Sequence, residues 1–403
     1  MAVTEHVRHD FPLYQTSDEI IYFDNACATL KPESVLMAMD AYNREFPTCG
    51  GRSINRLGER VTRAVESARS AVARFINAAR PEEIVFVRNT TEGINLLAHT
   101  LKIGAGQVIL TTDKEHNSNL VPWQQAATRT GAQHIVVPTH FDGTFDMDAY
   151  ERLLQGGEVA VVAMGYTSNL DGVSIPAREV VEKAHQYGAI CVLDAAQAAP
   201  HHALDMQALD VDFLVFSGHK LCGPSGTGVV YGKYHLLEAL APFIVGGSTV
   251  SESTYAGHTM LSAPEKFEGG TQDYAGIIGL EAAITYVDTL GVEAIGEHIV
   301  TLNQYATDAL MSLPGLRIIG PPSAALRSGI LSCTIEGVDI HQVAISLDQV
   351  AGVQVRSGQH CVHSWFMDRG MHGSVRLSFY VYNTTEEIDR CVEGLQKVIA
   401  VYT

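Results

Sequence analysis

Apolar positions along this chain fall first into a helical rhythm and then into a strand-like one. Val61, Ala64, Val65, Ala68, Val72, Phe75 and Ile76 recur at three- and four-residue spacing, which predicts one amphipathic helix. Short apolar runs follow at Glu83–Val87, Val108–Thr111, His134–Val137, Val159–Met164, Ala189–Leu193, Asp212–Phe216 and Gly228–Tyr231. Several are apolar at nearly every position, as strands covered on both faces must be. Helical stretches such as Thr91–Thr100 and Ala177–Tyr187 lie between many of them. This alternation predicts a large α/β domain built on a mostly parallel seven-stranded sheet.

The pattern changes after about residue 285. Helical stretches at Glu293–Ser312 and Glu386–Val401 flank strand candidates at Gly329–Ile335, Val353–Arg356 and Ser374–Phe379. That reads as a second, smaller α+β domain. The expected division is residues 20–285 for the large domain, with 1–19 and 286–403 forming the small one. No proline- or glycine-rich linker marks the boundary.

Composition narrows the function classes. The chain has 403 residues, 27 basic and 45 acidic, a net charge of −18. So acidic a protein is a poor match for nucleic acid or an anionic membrane surface. Apolar residues make up 46% and charged residues 18%, enough for a large core and contrary to disorder. No apolar run approaches the roughly 18 residues of a membrane helix. Met1 to Pro12 carries Glu5, Arg8 and Asp10 and lacks an apolar signal core. A cytoplasmic, soluble protein is expected. The seven cysteines are widely spaced with no CxxC pair, so neither a metal site nor a disulfide framework is expected.

Four segments carry chemistry. In Asp212-Phe-Leu-Val-Phe-Ser-Gly-His-Lys220 a buried strand runs into a polar turn. A lysine at the end of a buried strand would be desolvated, which suits Schiff-base chemistry; an ordinary solvated loop lysine is the alternative. Upstream by 26 residues, Ile190-Cys-Val-Leu-Asp194 ends an apolar strand with an acid, followed by Ala195, Ala196 and Gln197. A strand-end carboxylate is where open α/β sheets contact ligands, and it can keep a pyridinium protonated; an ordinary helix N-cap is the alternative. Arg88-Asn-Thr-Thr-Glu-Gly93 follows a strand and opens a helix, so Thr90 and Thr91 could hold a phosphate at its N-terminus. Finally, Arg356-Ser-Gly-Gln-His-Cys361 reads as a loop in which His360 and Arg356 would favour a thiolate at Cys361; a buried, inert cysteine is the alternative. Neither a Walker A sequence nor a dinucleotide GxGxxG follows any strand, which argues against a nicotinamide dehydrogenase. Gly223–Gly228 is glycine-rich but precedes a strand and reads as a turn.

Together these segments resemble the pyridoxal-phosphate enzymes of the class V aminotransferase superfamily, with the fold type I architecture. More narrowly they resemble cysteine desulfurases of the SufS type, the second of the two desulfurase groups. The resemblance runs from Tyr22-Phe-Asp-Asn-Ala-Cys-Ala-Thr29 to Tyr382-Asn-Thr384. Its most specific pieces are Ser-Gly-His-Lys220, Asp194-x-x-Gln197, Glu115-His116, Val121-Pro-Trp123, Phe267-Glu-Gly-Gly-Thr271 and Gly-Gln-His-Cys361. The resemblance implies that Lys220 forms the Schiff base with pyridoxal 5'-phosphate and later moves protons. It implies that Asp194 pairs with the pyridinium nitrogen, Gln197 bonds the phenolic oxygen and His116 stacks on the ring. Thr90, Thr91, Ser217 and His219 would hold the phosphate, and Thr271 would reach the phosphate of a partner subunit in a homodimer. Asn169 and Arg376 would bind the substrate carboxylate, with Arg356 beside them. Cys361 would take sulfur from L-cysteine as a persulfide and pass it to an acceptor protein, with iron–sulfur cluster assembly the family's usual destination.

The chain also departs from the family. Cys49-Gly-Gly-Arg-Ser53 stands where Asn-Val-His-Arg-Gly is common, so Gly51 replaces a histidine while Arg52 remains. Asn55 replaces a second histidine, Gln272 a proline and Asn117 another histidine. These changes are expected near the substrate entrance, and Cys49 is expected to be packed and silent. A selenocysteine lyase, or a C–S lyase or epimerase of the same superfamily, remains an alternative, as does a non-catalytic protein on this fold.

Overall fold

A computed structural model describes residues 5–17, 19–51 and 53–402. A two-residue strand, β1 (Ile21–Tyr22), comes first. The helix Arg56–Phe75 forms where the periodicity places it, with Val61, Ala68 and Val72 buried. Asn55 is its N-cap: Oδ1 accepts from the N–H groups of Leu57 at 3.1 Å and Gly58 at 2.9 Å. This residue therefore has a local structural purpose.

Seven strands follow: β2 (Ile84–Val87), β3 (Val108–Thr112), β4 (Gln133–Val137), β5 (Val159–Gly165), β6 (Ile190–Asp194), β7 (Phe213–Ser217) and β8 (Gly228–Gly232). They form one sheet in the order β2-β8-β7-β6-β5-β3-β4. Only β8 runs against its neighbours; the rest are parallel. Strands β3, β7 and β8 are buried at every position, which is why their sequences lack alternation. The predicted runs match these strands to within a residue or two.

The helix Thr90–Thr100 lies close on β7 and β8 because Gly93 has no side chain. A Cβ there would meet Val215 Cγ1 at 2.3 Å and Val230 Cγ2 at 2.7 Å. An exposed hairpin, β9 (Val250–Thr254) with β10 (Gly257–Met260), was not legible in the sequence. Its residues are almost all exposed, so no apolar periodicity marks them.

The remaining strands are β11 (Leu316–Ile319), β12 (Ile330–Ile335), β13 (Val353–Gln354), β14 (Arg356–Gly358) and β15 (Ser374–Ser378). A four-stranded antiparallel sheet has the order β11-β12-β15-β14. The expected single strand Val353–Arg356 is in fact two. Val353 and Gln354 pair with Ile21 and Tyr22, whereas Arg356 pairs with Arg376. The run looks continuous in sequence because a change of partner leaves the period-two pattern unbroken.

Apolar side chains do not sort at the expected boundary of residue 20. Val7, Phe11 and Tyr14 join the cluster under the large sheet, together with Tyr380 and Tyr382. Ile21 and Phe23 join the cluster of the four-stranded sheet. Among the described residues no single helix is long and apolar enough to cross a membrane; Tyr274–Leu290 and Val292–Leu310 qualify only as a pair, bent by 73°.

Gly93→Ala is expected to destabilise the protein by about 1–3 kcal/mol, because the sheet beneath it must move. Gly257→Ala meets nothing within 4 Å and should be nearly neutral. Thermal unfolding of the two variants beside the wild type checks this contrast.

Candidate active site

The C-terminal ends of the parallel strands open into one cavity, the usual ligand position of such a sheet. Lining it are Asp194 at the end of β6, Ser217 at the end of β7 and Gly165 at the end of β5. Thr90 and Thr91, His116, Asn169, Gln197, His219, Lys220, Arg356, Cys361 and Arg376 line it too. Twelve of the residues singled out from sequence thus meet in one place, although they come from most of the chain's length.

Lys220 sits on a short turn, Gly218–Lys220, directly after β7. A Cβ on Gly218 would meet Thr227 Oγ1 at 2.3 Å, so glycine permits the tight passage. The turn is pinned from the N-terminal segment: Thr29 N–H donates to His219 O at 2.9 Å, and Cys222 N–H donates to Thr29 Oγ1 at 2.8 Å. Loss of water around the ammonium lowers the Lys220 pKa, opposed first by the carboxylate of Asp194. The Asp194 pKa is raised, chiefly by burial, while Lys220 and the Ala196 N–H act against the rise. Its Oδ1 accepts from Ala196 N–H at 2.9 Å. A buried carboxylate of this kind gains from a cationic ring nitrogen placed against it.

The helix Thr90–Thr100 points its N-terminus at the cavity. Asn89 caps it, accepting from Glu92 N–H at 3.0 Å. Thr90 donates its N–H to Ser217 Oγ at 2.8 Å, and the two hydroxyls lie 2.7 Å apart. Thr91 Oγ1 lies 2.7 Å from Ser118 Oγ, a cavity-lining residue that the sequence reading missed. Hydroxyls gathered at a helix N-terminus form an anion cradle. His219 is held neutral beside it: burial, then Lys220 and Lys31, lower its pKa to about 4.

His116 is the N-cap of the helix Asn117–Thr130, its Nδ1 accepting from Ser118 N–H at 3.0 Å. That bond places the ring proton on Nε2. Burial, reinforced by Lys220 and Arg376, lowers its pKa to about 3, so the imidazole is neutral. Directly before it, Glu115 is buried beneath a ring of donors. Thr112 Oγ1 donates at 2.7 Å, Asn119 Nδ2 at 2.7 Å and Gly165 N–H at 3.0 Å. Even so, burial pushes its pKa up to about 7. Trp123 Nε1 donates onward to Asn119 Oδ1 at 3.0 Å, which explains why Glu115 and Trp123 occur at this spacing.

Arg376, in the middle of β15, is 2% exposed. Its Nη1 donates to Asn169 O at 3.0 Å and its Nη2 to Asp24 Oδ1 at 3.1 Å. Its Nε is buried without a partner. Asp24 was not found from sequence; an isolated acid after a two-residue strand leaves no periodic signal. Gln197 Nε2 donates to Ala26 O at 2.8 Å, so one of its N–H groups is committed to backbone.

Cys361 is half-buried, in the turn between β14 and the helix His363–Asp368. His360 and Cys361 both adopt positive φ, +50° and +60°. Each such residue costs roughly 1–2 kcal/mol. Neighbours hold the turn in place: Asn117 N–H donates to Cys361 O and Asn169 Nδ2 to His360 O, both at 2.7 Å. The expectation that His360 favours a thiolate fails. Its Nε2 lies 2.8 Å from Ser374 Oγ, and burial lowers its pKa to about 2, so it carries no charge to lend.

Thr271, expected to serve a partner subunit, lines a separate cavity with Arg88, Glu92 and Gln272. Two other expectations turn out differently. Cys49 is exposed rather than packed. The described residues of Cys49–Asn55 do not line the cavity of their own chain, and Arg52 lies outside the described residues.

The sheet order, the lysine after β7 and the acid ending β6 define the fold type I class of pyridoxal-phosphate proteins. The chain belongs to the aminotransferase class-V family, whose model matches residues 21–391. It is 41% identical over 401 residues to a cysteine desulfurase of Enterobacter sp. (strain 638), covering 98% of each chain. The apo structure of a cysteine desulfurase from Thermococcus onnurineus NA1 superposes with a TM-score of 0.95 at 36% identity, covering 100% of this chain and 99% of that one. The Escherichia coli cysteine desulfurase CsdA, in an S-sulfonic acid form, gives 0.92 at 34% identity, covering 99% and 98%.

Glu115 generates a pH prediction. Its folded pKa lies above its ordinary value of 4.5, so the stability it supports is complete below about 4.5 and is lost as pH rises through about 7. In Glu115→Gln that pH-dependent loss should vanish, a difference of a few kcal/mol between the two stability–pH profiles. Denaturant unfolding of both proteins across this window measures it.

Proposed function

We propose that this protein is a pyridoxal-phosphate-dependent cysteine desulfurase of the SufS type. It converts L-cysteine to L-alanine and keeps the sulfur on Cys361. The observation that carries the reading is the convergence of Lys220, Asp194, Arg376 and Cys361 on one cavity. The cavity fits the cofactor on independent grounds: a desolvated lysine, a buried carboxylate and a hydroxyl-lined helix N-terminus each match one part of it. Bound there, pyridoxal phosphate supplies an electron sink that stabilises negative charge at the substrate α-carbon.

The chain's own residues do the rest. Arg376 takes the substrate carboxylate with its guanidinium, already oriented by Asn169 O and Asp24. Arg356, paired with Arg376 across β14 and β15, adds a second positive group. Lys220 Nζ, kept less basic by desolvation, takes the α-proton. Neutral His116, its Nδ1 engaged by Ser118 N–H, is assigned the stacking position against the cofactor ring. Cys361 Sγ, as thiolate, attacks the substrate sulfur: an S–S bond forms and the Cβ–S bond breaks. Protonation at Cβ and return of the α-proton from Lys220 to Cα complete alanine and leave a Cys361 persulfide.

The short link between β14 and the helix His363–Asp368 supports the SufS-type assignment. So tethered a turn cannot carry its persulfide far, so an acceptor protein must dock at the cavity mouth. A homodimer is part of this reading. It is supported by the exposed apolar run Phe243, Ile244 and Val245, part of which lines the cavity that holds Thr271. Thr271 would then serve the phosphate of the other subunit.

The decisive experiment measures alanine from L-cysteine with reductant, for the wild type and for Cys361→Ala. Alanine from the first and little from the second is the expected result; equal turnover would overturn the role of Cys361. Lys220→Ala should abolish turnover with the circular dichroism unchanged. Arg376→Ala should raise KM for cysteine about 10- to 100-fold, the worth of a hydrogen-bonded charge pair; steady-state kinetics reads this directly.

A further inference from the structure

The cavity holds a second thiol that the reaction above does not use. Cys27 lines it together with Cys361 and, like Cys361, is half-buried. Arg356 Nη1 donates to Cys27 Sγ at 2.8 Å. Arg356 opens β14, the strand that runs into the Cys361 turn, so one side chain joins the two cysteine-bearing segments. A guanidinium against sulfur is the partner that a thiolate nucleophile needs. Both thiols also lie near enough to Lys220 to favour its charged form, and Cys27 acts in the same way on Arg376. Arg376, which lines the same cavity, keeps its buried Nε without a partner.

The backbone around Cys27 is fixed. Cys27 N–H donates to Asp24 O at 3.0 Å, and Ala26 N–H donates to Ser378 Oγ at 2.9 Å. Asp24 itself is held by Arg376. Cys27 is therefore presented to the cavity from a rigid turn, while Cys361 sits on one with two residues at positive φ. Buried cysteines elsewhere in the chain have no such setting: burial raises the pKa of Cys191, Cys222, Cys333 and Cys391.

We propose that Cys27 is a second sulfur-carrying site, which accepts the terminal sulfur from the Cys361 persulfide inside the cavity. The inference rests on the desulfurase reading above. The step is an exchange: Cys27 Sγ attacks the terminal sulfur, an S–S bond forms to Cys27, and the bond from that sulfur to Cys361 Sγ breaks. Cys361 departs as a thiolate, so no external oxidant or reductant is consumed. Cys361 is then free for a second turnover, and one chain can store two sulfur atoms before an acceptor arrives.

The test uses the cofactor-loaded wild type, Cys27→Ser and Cys361→Ser, each given excess L-cysteine without reductant or acceptor. Thiols and persulfides are trapped by alkylation, peptides containing residues 27 and 361 are mapped by mass spectrometry, and total sulfane sulfur is titrated by cyanolysis. The expected result is persulfide on both cysteines of the wild type, about two sulfane atoms per chain, against about one in Cys27→Ser and none in Cys361→Ser. Persulfide on Cys361 with Cys27 unmodified at all times would overturn the proposal and leave the desulfurase reading standing. Persulfide on Cys27 in Cys361→Ser would overturn the transfer step, because the sulfur would have come directly from substrate. A Cys27–Cys361 disulfide with sulfide released would overturn it too, placing the attack on the inner sulfur. An unmodified Cys361 in the wild type, with no alanine formed, would mean that the desulfurase reading itself fails and takes this proposal with it.

Discussion

A guanidinium buried between two sheets is the constraint on which this molecule turns. Arg376 stands in the middle of a strand of the smaller sheet, yet its partners come from elsewhere: Asn169 O from the loop after β5 and Asp24 from the segment after β1. Removing such a group from water costs several kcal/mol unless it is fully paired. Two partners meet part of that cost, and the Nε is left without one. The result is a held but incomplete cation, which is why we assign it the substrate carboxylate in the proposed reaction. The same contacts tie the N-terminal turn, the large sheet and the small sheet together, so the architecture and the substrate site depend on one side chain.

Around that cation the histidines are silent by design of their surroundings. His116, His219 and His360 all have pKa values well below neutrality, and in each case burial is the leading cause. The charges that remain are those of Lys114, Lys220, Arg356 and Arg376 against Glu115 and Asp194 among the lining residues. Two of these cations are already paired, Lys114 with Asp171 at 2.8 Å and Arg376 with Asp24 at 3.1 Å, and burial pushes the Glu115 pKa up to about 7. The chain as a whole carries −18, yet four cations are gathered around this one cavity. That gathering suits the phosphate and the carboxylate that the reaction needs. Two half-buried thiols, Cys27 and Cys361, line the same cavity, and Arg356 Nη1 donates to the first at 2.8 Å.

What could be read from sequence follows from the range of the interactions. Continuous burial leaves an unmistakable mark, so β3, β7 and β8 were legible as apolar runs. The residues before and after them, Asp194, Ser217 and Lys220, could be placed at strand ends because the strand is a local object. The hairpin β9–β10 left no mark because it buries almost nothing, and the strand at Val353–Arg356 was split between two sheets by a change of partner. Asp24 and Cys27 lie in a segment that carries the family resemblance, yet nothing local marked them, or Ser118, as site residues. Their importance comes from partners up to hundreds of residues away, such as Arg376 and Arg356.

The sheet-forming segments, the strand-end positions of Lys220 and Asp194 and the kinship with class V aminotransferases were thus legible in one dimension, because they depend on burial pattern and short-range spacing. Protonation and partners emerged only with the fold: that His360 is neutral, that Asn169 and Asp24 hold Arg376, and that Arg356 binds a second cysteine lining the same cavity as Cys361. Desolvation and hydrogen bonding act through space. A chain read in one dimension gives the charges and the thiols, and only the fold says which of them meet.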